Sequence, residues 1–152
     1  MRACVRGFLI LLLATSGALG NEQGPKICYA LEQALPSPLK PALLVFFSTE
    51  CSSCWDDLLE MRYFVDKNGL DVQLVGIAAE PEQDVLRFAE KHAFFHPVVI
   101  DKKKRIHRSF HVGLIPYKVI LIGNRVRYRD DYDKGFSDRR KEAQSCLLAV
   151  AR

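Results

Sequence analysis

The sequence predicts an α/β fold in which helices flank a central mixed sheet, and two features carry that expectation. Apolar runs of strand length alternate with segments of helical periodicity, the pattern of strand–helix–strand units whose strands run parallel. Towards the C-terminus two further runs, Lys118 to Ile122 and Arg125 to Arg129, are joined at Gly123-Asn124, a Gly-containing two-residue turn of hairpin type that adds an antiparallel pair. With 152 residues, 49% hydrophobic and 26% charged, the chain suffices for one domain with a real core and is too short for two ordinary ones.

Residues 1–20 stand apart from that core. Arg2 and Arg6 precede the apolar run Phe8 to Ala14, and small residues end in Ala18-Leu19-Gly20. This reads as a secretory signal peptide cut before Asn21, leaving residues 21–152 as the domain. The uncharged stretch from Gly7 to Gly20 is shorter than the roughly 20 residues a bilayer span needs, and an uncleaved membrane anchor is the alternative. Its removal takes two arginines and no acids, so 20 basic residues face 18 acidic ones and the net charge falls from +4 to +2. A balance that small, on an exported chain, argues against nucleic acid as a partner.

Ile27 to Leu35 reads as a short helix stopped by the prolines at 36, 38 and 41. Ala42 to Ser48 is a continuous apolar run, as in a strand covered on both faces. After it Cys54, Leu58, Met61 and Val65 recur at helical spacing, and Asn68-Gly69 ends the helix. Asp71 to Ala79 is a second strand, followed by a helix with Pro81 in its first turn and Val85, Phe88, Ala89 and His92 on one face. Pro97 to Ile100 reads as a short strand and Ile106 to Val112 as a short helix. Lys102-Lys103-Lys104-Arg105 between them reads as a solvated turn, with a patch for an acidic partner as the second reading. Ser137 is placed to cap a last helix with Ala143, Cys146, Leu147 and Val150 on one stripe.

Cys4 leaves with the signal peptide, so four cysteines remain: Cys28, Cys51, Cys54 and Cys146. In an oxidising compartment an even number suggests disulfides before metals. No second CxxC spacing exists, so a zinc site would have to recruit Cys28 and Cys146. The sharper observation is the position of Cys51 and Cys54, straight after a buried strand and at the start of a helix. Free N–H groups and the helix dipole there favour the Cys51 thiolate, while Cys54 lies one turn in, on the buried face. An exposed attacking sulfur beside a shielded resolving sulfur is what thiol–disulfide exchange requires, and no metal or organic cofactor is needed. Cys28 and Cys146 lie near the two ends of the domain; a bond between them and two independent buried thiols both fit the sequence.

The runs VFFSTECSSCWDDLLEM and HVGLIPYKVILI together resemble the exported TlpA/ResA-like group of thioredoxin-fold thiol–disulfide oxidoreductases. VGIAAEPEQDVLRFAEKHAFFHPVVID resembles the strand–helix insertion of that group, and the likeness covers most of residues 42–122. The resemblance implies Cys51 and Cys54 as the catalytic pair, a cis Pro116 facing them, and Ile115, Pro116 and Trp55 on the substrate side. It also implies a periplasmic or otherwise exported protein that acts on disulfide-containing exported partners, as in cytochrome c or metal-site assembly, and is recharged by a membrane thiol reductase. Departures are Glu50 where the group usually has Trp, Ser52-Ser53 where Pro is frequent, and Asp57 where Glu is common.

Asp57 stands at i+3 from Cys54 and is placed either to exchange protons with the resolving thiol or to lie exposed near a helix N-terminus. Glu50, Asp56 and Asp57 bracket the pair, and negative charge opposes thiolate formation, which favours a reductant over a strong oxidant. Two other functions are weighed. The i,i+4 pairs His92/His96 and His107/His111 have the spacing of metal-binding helices but no acidic third ligand nearby, and read as partly buried packing residues; a copper-binding module would instead bring His111 close to the cysteine pair. A peroxiredoxin-like peroxidase would want Thr three residues before the reactive cysteine, where this chain has Ser48.

Overall fold

A computed structural model describes residues 25–151, so the expected signal peptide lies outside the described residues. The elements run β1 (Ile27–Cys28), α1 (Leu31–Ala34), β2 (Ala42–Phe46), α2 (Ser52–Lys67), β3 (Gln73–Ala78), α3 (Glu82–Lys91), β4 (Val98–Ile100), α4 (Arg105–Ser109), β5 (Tyr117–Ile122), β6 (Arg125–Arg129) and α5 (Phe136–Val150). They form one six-stranded sheet in the order β1-β4-β3-β2-β5-β6. β1, β4, β3 and β2 are parallel, β5 is antiparallel to β2, and β6 is antiparallel to β5, as the strand–helix–strand spacing and the hairpin require.

The sheet separates two cores, and strand alternation sorts residues between them. Leu43, Val45, Phe47, Leu74, Ala78, Val98 and Ile120 face a layer made by α2, α3 and α5. Leu44, Phe46, Val75, Ile77, Val99, Val119 and Leu121 face the thinner layer of α1 and α4. α2 buries Cys54, Leu58, Met61 and Val65 on one stripe. Its end is marked by Asn68 and by Gly69 at φ 58°, a left-handed conformation that glycine takes without a Cβ clash.

Two local expectations are corrected. Ile27 and Cys28 are not helical; they pair with Val98 and Val99 as an edge strand, which leaves only a single helical turn at Leu31–Ala34. Ser137 does not cap α5: the helix begins at Phe136 with Gly135 as its N-cap, and no side chain caps it.

Gly76, in the middle of β3, is fixed by packing. A Cβ there would meet Phe47 Cε1 at 2.9 Å, and Phe47 is itself buried. Gly76→Ala is therefore expected to destabilise the fold by about 1–3 kcal/mol through overpacking, read as a lower urea midpoint with an unchanged slope.

Candidate active site

Cys51 is the N-cap of α2, in extended backbone (φ −99°, ψ 103°), and its sulfur accepts the Cys54 N–H at 3.2 Å. Ser53 Oγ lies 3.4 Å from the same sulfur. Cys51 and Cys54 are joined by a disulfide with Cα atoms 5.2 Å apart. Cys54 is fully buried, whereas Cys51 is only half-buried. The inequality follows from helix geometry: the cap lies at the surface end of α2, and three residues later the chain has turned onto the apolar stripe.

Trp55 turns away from the pair towards α3. Its indole N–H donates to the Ser48 carbonyl at 3.1 Å, and its ring packs against Phe88 and His92 with centroids 5.7 and 5.0 Å away. The half-buried ring thus fastens the strand leading into Cys51 to the first turn of α2.

The β2–β5 register pairs Phe46 with Tyr117. The segment carrying Cys51 and the Ile115–Pro116 bond, which is cis, therefore leave the same end of the sheet on adjacent strands. Leu114 and Ile115 are 67% and 38% exposed, unusual for side chains of their size and placed to form an apolar lip beside the disulfide. The hydroxyl of Tyr132 holds this loop: it accepts the N–H groups of Gly113 and Leu114 at 2.8 and 3.0 Å and donates to the Leu114 carbonyl at 3.1 Å. A groove of about 510 Å³ runs from the lip past Phe47, Ser48, Ala79 and Glu80 to Lys104, His107 and Arg108 of the α4 region. It lies outside the C-terminal ends of β2 and β3, where α/β sheets bind ligands.

Asp57 is neither exposed nor free. It is fully buried, its Oδ2 accepts from Lys118 Nζ at 2.7 Å and its Oδ1 accepts from Arg140 Nε at 3.0 Å. Lys118, also fully buried, donates to Asp130 Oδ2 at 3.0 Å, and the Lys118 backbone N–H donates to the same oxygen at 3.1 Å. Tyr128 donates its hydroxyl to Asp130 Oδ1 at 2.8 Å; burial and that carboxylate hold the phenol well above its usual range. The arrangement removes the exposed-acid reading of Asp57. It also leaves Asp57 with both oxygens engaged, so a part in proton exchange with Cys54 would have to use its remaining lone pairs.

Lys118, Asp130 and Arg140 were not among the residues singled out from the sequence. One signal was available for Lys118: it shares strand parity with Ile120, a residue of the α2-side core.

Cys28 and Cys146 are both free thiols, which corrects the possible bond between them. Cys28 is on the edge strand β1 and packs in the α1–α4 layer, whereas Cys146 is on α5, which lies over β5 and β6 against the other core. The sheet stands between them. Burial pushes the Cys146 thiol up, a slight opposing pull coming from Arg127. His107 is buried, with Nδ1 2.8 Å from Asp101 Oδ2. Burial alone would raise the Asp101 carboxyl, but hydrogen bonds from the His107 ring and from the N–H groups of His107 and Arg105 outweigh it and hold the group below its usual range. Among the described residues no three His, Cys, Asp or Glu side chains cluster as a metal site.

Comparison with known proteins gives the chain its relatives. The model of the AhpC/TSA family matches residues 24–129. Thiol-disulfide oxidoreductase ResA of Geobacillus kaustophilus (strain HTA426) is 27% identical over 88 residues, 56% of this chain and 50% of the relative. The chain thus spans about half the length of the curated relatives it matches. A thioredoxin-like protein from Porphyromonas gingivalis superposes with a TM-score of 0.61 at 22% identity, covering 74% of this chain and 76% of that one. Peroxidoxin BcpB from Mycobacterium tuberculosis gives 0.62 at 18% identity, covering 74% and 80%. The fold is thioredoxin-like.

Lys118→Met removes the ammonium between two buried carboxylates and is expected to cost about 3 kcal/mol of unfolding free energy, measured by urea denaturation. Asp57→Leu in the same background should recover part of the loss.

Proposed function

Because the chain belongs to the AhpC/TSA family and opens helix α2 on two unequally buried cysteines, we propose that it is a thiol–disulfide oxidoreductase that reduces disulfides of partner proteins. The observation that carries this reading is the inequality of the two sulfurs, Cys51 at the helix tip and Cys54 fully buried one turn below. The relatives named thiol-disulfide oxidoreductase support it over the half-length they share with this chain.

In the reduced protein the Cys51 thiolate attacks one sulfur of the substrate disulfide, forming a mixed disulfide and expelling the substrate's other sulfur as a thiolate. Cys54, as thiolate, then attacks Cys51 Sγ. The Cys51–Cys54 bond forms, the second substrate sulfur leaves as a thiolate, and the substrate has gained two electrons and, from solvent, two protons. The oxidised pair is the state in the structure. Returning it to the dithiol needs an external dithiol donor, which for an exported protein is a membrane thiol reductase. Ile115 and Pro116 give the substrate a backbone edge beside the disulfide, and an extended segment pairs there in β fashion. Export, disulfide-bearing exported partners and a part in cytochrome c assembly belong to this proposal through the N-terminal sequence and the resemblance to the TlpA/ResA-like group.

Two measurements test the reading. Cys54→Ala is expected to accumulate a stable mixed disulfide through Cys51, while Cys51→Ala accumulates none; equal trapping by both variants sinks the division of roles. Equilibration of the pair with thiol redox buffers is expected to give a potential nearer thioredoxin's, about −270 mV, than the strong oxidants' about −120 mV. A value at the oxidising end overturns the assignment as a reductant.

A further inference from the structure

The groove that begins at the Ile115 lip ends on a cluster of cations that the exchange chemistry does not use. Lys102, Lys103, Lys104, Arg105 and Arg108 fall within seven residues containing no acid, and all five are exposed. The cluster is held in place. Asp101, buried at the end of β4, accepts the Arg105 N–H at 2.8 Å and the His107 N–H at 2.9 Å, and its own carbonyl accepts the Lys104 N–H at 2.8 Å. Lys104 itself sits in left-handed backbone (φ 51°) to make the turn.

Of these residues Lys104 and Arg108 line the groove. Arg108 donates to the Lys103 carbonyl at 2.7 Å, and among the described residues neither side chain forms an ion pair. Elsewhere on the surface some exposed cations are paired, Lys40, Arg87 and Lys134 with Asp71, Asp84 and Glu142, while others such as Arg125, Arg127 and Arg129 form no ion pair among the described residues. His107, the third basic residue of the lining, is already engaged by Asp101. The groove also contains one carboxylate, Glu80 just beyond β3, whose Oε2 is buried and has no hydrogen-bond partner among the described residues. The concavity is thus apolar at Leu114 and Ile115 and positive where it meets α4.

Resting on the exchange reading above, we propose that this groove selects the substrate: it takes an extended segment next to the target disulfide whose side chains on the α4 side are acidic. The Asp or Glu side chains of such a segment meet Lys104 and Arg108, and its apolar side chains meet Leu114 and Ile115. A flat anionic membrane surface would meet the same five cations, but it would not enter a concave site lined by Leu114 and Ile115.

The test uses the pre-reduced protein and two synthetic peptides, each closed by one internal disulfide and differing only in Asp/Glu against Asn/Gln beside the cysteines. The second-order rate constant for the acidic peptide is expected to exceed that for the neutral one by about tenfold at low salt, with the ratio collapsing towards one at high salt. Lys104→Glu/Arg108→Glu should lose or invert the ratio, and Lys104→Gln/Arg108→Gln should flatten it. Equal rates for the two peptides, or a preference that survives charge reversal, overturns the inference. So does vesicle binding that depends on Lys104 and Arg108 without peptide discrimination, tested with phosphatidylglycerol. Neutral 2-hydroxyethyl disulfide separates the two levels. If the wild-type protein reduces it but does not distinguish the peptides, only this inference falls; if it reduces no disulfide, the exchange reading falls and takes the inference with it.

Discussion

An ammonium group enclosed by two carboxylates holds the reactive end of this molecule together. Lys118 has no exposed surface, and a charge so placed is tolerated only where hydrogen-bonded counter-ions surround it. Its partners come from separate parts of the chain: Asp57 from the helix that begins at Cys51, and Asp130 from just beyond the hairpin. Lys118 itself lies two residues after Pro116. One buried cation therefore sets the relation between the cysteine helix and the proline loop, and α5 closes the cluster by laying Arg140 on Asp57. Sliding α2 by a residue would strand both Asp57 and Lys118 in the core. An apolar interface would permit that slip at a far smaller cost, so the ion pairs contribute register here more than net stability.

Around that anchor the reactive groups are arranged by ordinary secondary-structure rules. The cap position exposes Cys51, the helical stripe buries Cys54, and the Phe46–Tyr117 pairing brings the proline loop alongside. Trp55 and Tyr132 do similar work from opposite sides. Each uses one polar atom to tie down irregular backbone next to the disulfide, at Ser48 in one case and at Gly113 and Leu114 in the other. Loops on either side of the disulfide have to be fixed by side chains in this way, because no ladder of backbone bonds reaches them.

What the sequence disclosed and what it hid divide along the range of the interaction involved. The α2 stripe, the β5–β6 hairpin and the cysteine pair depend on neighbours within a few residues, and their periodicities and turn residues are visible in the chain. The edge strand Ile27–Cys28 is two residues long and exists only because β4 offers it a partner some 70 positions away, so no local pattern announces it. The same holds for the partners of Asp57, which lie 61 and 83 residues further on. A lysine in a run such as KVILI reads as the solvent-facing member of an alternating strand. This sheet has a core on each face, so no parity is solvent-facing in its middle, and Lys118 is forced inside. Two buried faces also explain why Cys28 and Cys146 stay apart: residues at the ends of the chain meet only if they fall on the same side of the sheet.

The fate of Asp57 also changes the electrostatic account of the disulfide. Three acids bracket the pair in sequence, but they do not act alike. Asp57, buried and met by both Lys118 and Arg140, presents a compensated charge to the sulfurs, and its field is largely cancelled within the cluster. Glu50 and Asp56 are exposed and form no ion pair among the described residues, so water and salt weaken their reach. The free N–H groups at the start of α2 remain as the nearest fixed influence on Cys51, and the Cys54 N–H is already directed at its sulfur. The stabilisation of a Cys51 thiolate is therefore set mainly by helix geometry, with the exposed acids as a modest opposing term. Ser53 Oγ, beside the same sulfur, is placed to add a hydrogen bond once the disulfide opens. With the exposed acids opposing it, that stabilisation stays short of what a strong oxidant needs, which agrees with the proposed role as a reductant.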